Sequence, residues 1–122
     1  MANLNLDTHI LVFLLQGRLT AAEERLIRVA DVAISAVVLW ELWKLNSLGK
    51  IKFNAAAELE QAVLSQFRVL PVDAHVCAAL AQLDFRSDPA DELIAATSVA
   101  HGVPLMTRDR RIRASKVVPL AA

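Results

Sequence analysis

Asp7, Glu41, Asp91 and Asp109 are the residues whose type and placement best suit chemistry in this chain. Asp7 closes the short apolar run Asn3 to Leu6, and Asp109 follows the run Val103 to Met106. Asp91 stands in the first turn of a helix opened by Asp88-Pro89-Ala90, and Glu41 lies among Val37, Val38, Trp40, Leu42 and Leu45, which shield it from water. Taken singly, each acid has a plainer use. Asp7 can cap a helix beginning near Thr8, Asp91 can complement a helix dipole, Asp109 can cap the last helix, and Glu41 can pair with Lys44. Taken together, they put carboxylates at several strand-to-helix junctions on one edge of a sheet. Like charges crowded there raise one another's pKa and weaken the fold unless a cation neutralises them. Oxygen-only donors, without clustered Cys or His, suit a hard ion such as Mg²⁺ or Mn²⁺. A carboxylate cage of this kind fits phosphodiester hydrolysis, one ion preparing hydroxide and another stabilising the leaving oxygen, so the expected substrate is a nucleic acid.

The elements that must position these acids alternate between strand and helix. Asn3 to Leu6 reads as a strand, and Ile10 to Gln16 has helical spacing closed by Gly17. Thr20-Ala21-Ala22-Glu23 is a capping box that opens a second helix, followed by the β-branched strand Val32 to Ser35. Ser35 caps a helix through Glu41 that meets Gly49, and Asn54 opens another over about residues 55 to 66. Arg68 to Val72 reads as a strand interrupted by Pro71, and Asp73 caps a helix expected to reach Phe85. Asp88, with Pro89 at the first helical position, starts the helix that Gly102 closes. Val103 to Met106, a short basic helix and an edge strand at Val117-Val118 complete the chain. This alternation predicts an α/β fold with three layers, a mainly parallel sheet flanked by helices, in one domain over residues 1–122. In such sheets ligands bind at the carboxyl ends of the strands, where the acids fall.

Bulk properties narrow the function classes. With only three glycines there is no G-x-G-x-x-G fingerprint and no P-loop, which removes most nucleotide-cofactor readings. The chain is 56% hydrophobic with a mean hydropathy of +0.43, so part of its apolar surface is expected to meet a partner. No apolar run approaches the roughly 18 residues a membrane helix needs, no export signal is visible, and the single Cys77 fits a reducing cytoplasm. Net charge is zero, yet residues 105 to 122 carry five Lys/Arg against one acid, so any contact with nucleic acid must be local.

The chain resembles the PIN-domain nucleases, and most closely the VapC-type toxins of bacterial toxin–antitoxin pairs. The resemblance rests on four stretches in order. These are Leu6-Asp7-Thr8-His9; Ile34-Ser35-Ala36 through Trp40-Glu41-Leu42 to Leu48-Gly49-Lys50-Ile51; Asp88-Pro89-Ala90-Asp91 with Leu93-Ile94-Ala95-Ala96; and Leu105-Met106-Thr107-Arg108-Asp109. It implies a homodimer, Mg²⁺-dependent cleavage of RNA and inhibition by a small cognate antitoxin. Carried over, Asp7, Glu41 and Asp91 resemble metal ligands, Asp109 a second-metal or water-mediated ligand, and Thr107 a supporting hydroxyl. Phe85-Arg86-Ser87 departs from the pattern where relatives often show a His.

Other residues have competing readings. Arg108, Arg110, Arg111 and Arg113, with Lys116, form either a solvated charge run or a phosphate-contacting segment beside Asp109. Trp40 and Trp43 are expected as core or interface anchors, with base stacking the lesser reading. His75 and His101 are expected in structural or surface roles, and His9, two residues from Asp7, is expected on a helix surface, with substrate contact the lesser reading. Cys77 is expected as a small buried hydrophobe, Asp88 as an N-cap and Glu92 in solvent. Two rival classes stand against the nuclease. A non-catalytic module that only binds a protein partner has no use for the full acid set. A haloacid-dehalogenase phosphatase would want a second Asp where His9 stands, and a receiver would want paired acids and a late Lys.

Overall fold

The computed structural model describes residues 2–51, 61 and 65–122. The chain runs β1 (Leu4–Leu6), α1 (Thr8–Gln16), α2 (Ala21–Val29), β2 (Val32–Ser35), α3 (Ala36–Ser47) and β3 (Arg68–Leu70). It continues as α4 (Ala74–Ala79), a 3-10 turn (Leu80–Gln82), α5 (Pro89–His101), β4 (Leu105–Met106) and α6 (Arg110–Arg113). The helix expected from Asn54 falls on residues outside those described.

The strands form one sheet in the order β3-β2-β1-β4, and every pair is parallel. All residues of β1 and β2 are buried. Side chains alternate between the two faces of a strand, so full burial means that both faces are covered and the fold is layered as expected. Leu4, Leu6, Val32, Ile34 and Leu105 from the sheet join Ile10, Leu11, Val38, Leu42, Ile94 and Ile112 from the helices in one apolar core. The chain winds outward from β1 through β2 to β3, then returns to add β4 on the far side of β1. That reversal makes the β1/β4 junction the switch point, where loops part and leave a crevice.

Local chemistry sets the element ends. Gly17 at φ 68° and Gly102 at φ 64° adopt the left-handed conformation that closes α1 and α5, which β-carbon-bearing residues resist. The Thr20 and Glu23 box opens α2 as expected, with both reciprocal bonds made. Buried Asn5 donates through Nδ2 to Ser98 Oγ at 2.9 Å, tying the middle of β1 to α5.

Two expectations are corrected. The helix from Asp73 stops at Ala79 instead of reaching Phe85, because Leu83 and Phe85 turn into the main core and Asp84 is held by Ser115 Oγ at 2.5 Å and the Lys116 amide at 2.8 Å. The last edge pairing forms at Leu120 instead of Val117-Val118. The amides of Val117 and Val118 are already bonded to Ser115 Oγ, at 3.1 and 3.0 Å, and cannot serve a ladder. Among the described residues no helix is long and apolar enough to cross a membrane.

Candidate active site

Asp7 is the N-cap of α1 and only 2% exposed. Its Oδ1 accepts the Thr8 amide at 2.8 Å and its Oδ2 accepts the Thr107 hydroxyl at 2.6 Å. The second bond crosses the switch point, because Asp7 follows β1 and Thr107 follows β4, and the Asp7 amide donates to Met106 O at 3.0 Å. Glu41 reaches the same place from the second turn of α3, where the Thr8 hydroxyl donates to its Oε1. Asp91 reaches it from the first turn of α5 and accepts the Ser87 hydroxyl on Oδ2 at 2.8 Å. The three carboxylates line one cavity of about 230 Å³ with Thr8, His9, Val12, Leu45 and Ile51.

No Lys or Arg among the described residues lines this cavity. Burial pushes the Glu41 carboxyl above its ordinary range, and the charges of Asp7 and Asp88 push it further against the Thr8 hydrogen bond. Burial likewise raises Asp91 to about 6, with Asp88 and Asp7 adding to the effect and Ser87 opposing it. Hydroxyl donors orient these groups but supply no full positive charge, so the acids repel one another. Among the described residues, no three acidic, His or Cys side chains are already drawn together tightly enough to grip a cation. What suits a hard cation is the donor chemistry, carboxylate and hydroxyl oxygens held in a partly dry crevice with an uncompensated negative charge.

The other sequence candidates are placed as follows. Asp109 caps α6, its Oδ1 accepting from the amides of Arg111 at 2.9 Å and Ile112 at 3.1 Å, and it does not line the cavity. Its amide donates to Thr107 Oγ at 3.0 Å, so the Thr107 hydroxyl links it to Asp7. Arg108 turns away from the cavity and forks Glu23 through Nε at 2.9 Å and Nη2 at 2.6 Å, its guanidinium lying 4.3 Å from the Phe13 ring centre. Arg111 donates to Arg86 O at 2.7 Å and Arg113 to Thr107 O at 3.1 Å. The exposed Arg110 side chain has no bonded partner among the described residues.

Glu41 does not pair with Lys44, whose ammonium lies 5.9 Å from the Trp40 ring centre. Trp40 and Trp43 are 57% and 51% exposed, which excludes the core role weighed for them. Cys77 is exposed and not buried as expected. Asp88 is the N-cap expected of it, bonded to the Asp91 amide at 2.9 Å, and Glu92 accepts the Ser87 amide at 2.9 Å instead of facing solvent. Sequence reasoning missed Thr8 and Ser87. A hydroxyl beside a helix start reads as an ordinary cap, and only the tertiary path turns it onto a carboxylate.

The chain is similar to known proteins along nearly its whole length. Residues 5–117 match the family model described as PIN domain. The chain is 32% identical to Ribonuclease VapC22 of Mycobacterium tuberculosis, over 95% of this chain and 94% of that protein. Its fold is similar to a crystal structure of VapBC2 from Rickettsia felis bound to a DNA fragment from its promoter, with TM-score 0.75, 22% identity and coverage of 97% and 96%. It is similar also to a toxin–antitoxin complex from Klebsiella pneumoniae, with TM-score 0.71, 18% identity and coverage of 98% and 97%.

Proposed function

From the premise that the chain belongs to the PIN-domain family, we propose that residues 1–122 form one endoribonuclease domain, the toxin of a toxin–antitoxin pair, which hydrolyses RNA phosphodiester bonds with Mg²⁺ or Mn²⁺. The observation that carries this reading is the cavity at the β1/β4 switch point, where Asp7, Glu41 and Asp91 meet without a cationic side chain among the described residues. A relative named as a ribonuclease supplies the substrate class.

Asp7, Glu41 and Asp91 would hold the cation, with Asp109 joining through water at the edge marked by Thr107. When bound, such an ion polarises phosphoryl oxygens and makes water a competent nucleophile near neutral pH. The chain's own groups prepare the site. Thr107 and the Thr8 amide fix both oxygens of Asp7, and the Thr8 hydroxyl aims Glu41. Ser87 aims Asp91. Burial and neighbouring acids disfavour the charged forms of Glu41 and Asp91, the imbalance that a bound cation would offset. Val12, Leu45 and Ile51 form an apolar wall that limits water to the reacting edge. Arg110, Arg111 and Arg113, all exposed, would meet phosphate outside the cavity.

The partners of this reading are RNA, a small antitoxin and a second copy of the chain, met in the cytoplasm. The exposed Trp40, Trp43 and Leu48 of the α3 region supply apolar surface for the protein contacts. Neighbours named as VapBC and toxin–antitoxin complexes support the antitoxin.

Incubation of the purified chain with total cellular RNA, with Mg²⁺ or with EDTA, tests the proposal. New RNA ends should appear with Mg²⁺ and vanish with EDTA and in Asp7→Asn. Absence of new ends with Mg²⁺, or cleavage indifferent to EDTA, refutes it.

A further inference from the structure

His9 faces Asp7 with one ring nitrogen and is anchored by the other. Its Nε2 accepts the backbone amide of Arg108 at 3.0 Å. An imidazole nitrogen that accepts carries no proton, so the neutral ring must bear its proton on Nδ1. Nδ1 lies 3.5 Å from Asp7 Oδ2, in ion-pair range but longer than a good hydrogen bond. The ring also packs against a neighbouring aromatic. Its edge meets Phe13 at 6.0 Å between centres, with the planes inclined by 71°. The Arg108 guanidinium lies over that same Phe13 ring while it forks Glu23. One residue of the β4–α6 loop therefore clamps the histidine twice, directly through its amide and indirectly through Phe13.

We propose that His9 is a positioning residue for Asp7, its tautomer set by the Arg108 amide so that Nδ1–H faces Asp7 Oδ2. The donor acts on the oxygen that also accepts Thr107, so His9 and Thr107 together fix the orientation in which Asp7 offers its remaining lone pairs. A neutral donor does this without replacing the cation the cavity calls for, as an Arg or Lys in the same position would. Outer partners of this kind tune ligand orientation, and their loss typically lowers metal affinity or activity by about 10–100-fold. The clause that a cation is bound rests on the proposed nuclease site, whereas the tautomer does not.

Two measurements on the full chain test this. In ¹⁵N-histidine-labelled, metal-free protein, long-range ¹H–¹⁵N correlation should show neutral His9 protonated on Nδ1 and bare on Nε2. The opposite tautomer overturns the proposal. Mn²⁺ affinity, read by calorimetric titration, is then compared among His9→Asn, His9→Gln and His9→Phe. The Asn amide nitrogen stands close to where Nδ1 stood, and the Gln side chain reaches only the Nε2 position. The Asn variant should stay within about threefold of wild type, while Gln and Phe bind about 10–100-fold more weakly. Equal affinity in all three, or rescue by Gln and not Asn, refutes a role at Asp7 and leaves His9 an anchor for the loop. If the Phe variant fails to fold, the Asn and Gln pair still decides. Wild type that binds Mn²⁺ with this pattern but cleaves no RNA would sink the nuclease reading and leave His9 standing. Wild type that binds no Mn²⁺ would sink the cation site and, with it, the positioning role of His9.

Discussion

Glu23 and Asp91 occupy equivalent places in the chain. Each is the third residue after an N-cap, Thr20 for α2 and Asp88 for α5, and each sits at the positive end of a helix dipole. Their carboxyls nevertheless titrate at opposite extremes. The forked Arg108 guanidinium holds Glu23 down at about 2, whereas burial and the charges of Asp88 and Asp7 push Asp91 up to about 6. Helix position therefore does not decide the electrostatics; the partner does. Arg108 directly follows Thr107, the residue bonded to Asp7, so a cation stands beside the crevice and is turned outward to Glu23. The fold uses its guanidinium for structure and leaves the three cavity acids short of positive charge.

The largest effect should come from removing a carboxylate on each side of this contrast. Asp7→Asn and Asp91→Asn should each lower RNA cleavage on the order of a thousandfold or more. Metal-free melting temperature should hold or rise, because a repulsive charge has been removed. Glu23→Gln should do the reverse, leaving cation affinity at the cavity intact while costing about 1 kcal/mol of stability through the lost fork, a figure reduced for solvent screening. Cleavage assays and thermal melts of the three variants check this. If the two Asp variants melt like core mutants, the cavity acids are structural and the contrast collapses.

The same contrast predicts a melting curve with two opposed limbs. Asp91 has a folded pKa of about 6, above the roughly 3.9 of an unfolded Asp, so the folded state gains protons first as pH falls. Metal-free stability should therefore climb from pH 7 toward pH 5. Glu23 is lowered to about 2, so its contribution is fully present above the ordinary carboxylate range and fades as pH drops below about 4.5. Each limb should be worth about 1 kcal/mol, or roughly 4 °C in melting temperature for a domain of this size. Mg²⁺ should abolish the upper limb and spare the lower one. A single monotonic decline from pH 7 to pH 3 without Mg²⁺ would show that the raised carboxyl of Asp91 carries no linkage.

Most of the fold could be read from the sequence, because its signals are local. Caps at Asp7, Thr20, Ser35, Asp73 and Asp88 and glycine stops at Gly17 and Gly102 place helix ends within a residue or two. The misplaced boundaries are those set by distant partners. The helix from Asp73 ends early because Asp84 bonds residues more than thirty positions away, and the last strand shifts because Ser115 takes the amides of Val117 and Val118. The candidate site divides in the same way. Acids at strand ends announce themselves by type and position. By contrast, the Thr8 bond to Glu41 spans 33 residues and the Arg108 fork to Glu23 spans 85, and no window on the sequence holds either pair. From the sequence Arg108 is therefore indistinguishable from its basic neighbours, whose readings are a solvated run or a phosphate contact.

That difference among the arginines gives the smallest but most specific effect. The sequence groups Arg108, Arg110, Arg111 and Arg113 as one basic segment, whereas the fold gives them different employment. Arg108 is held by Glu23, Arg111 by Arg86 O and Arg113 by Thr107 O, so ordered contacts compete with RNA for three of the four. Arg110 has no such competitor among the described residues, so its guanidinium is the freest of the four to displace counterions from a phosphate. Each phosphate contact on a single strand contributes about 0.7 to the slope of log affinity against log salt. In an Asp7→Asn background that cannot cleave, Arg110→Gln should flatten that slope by about 0.7. Arg108→Gln should leave the slope nearly unchanged and instead lower the melting temperature, since it frees Glu23 from its partner. Titrations of RNA at several salt concentrations distinguish the two. Equal loss of slope from both changes would mean that Arg108 leaves Glu23 for phosphate when RNA binds, and that the division between paired and unpaired charge holds only for the free protein.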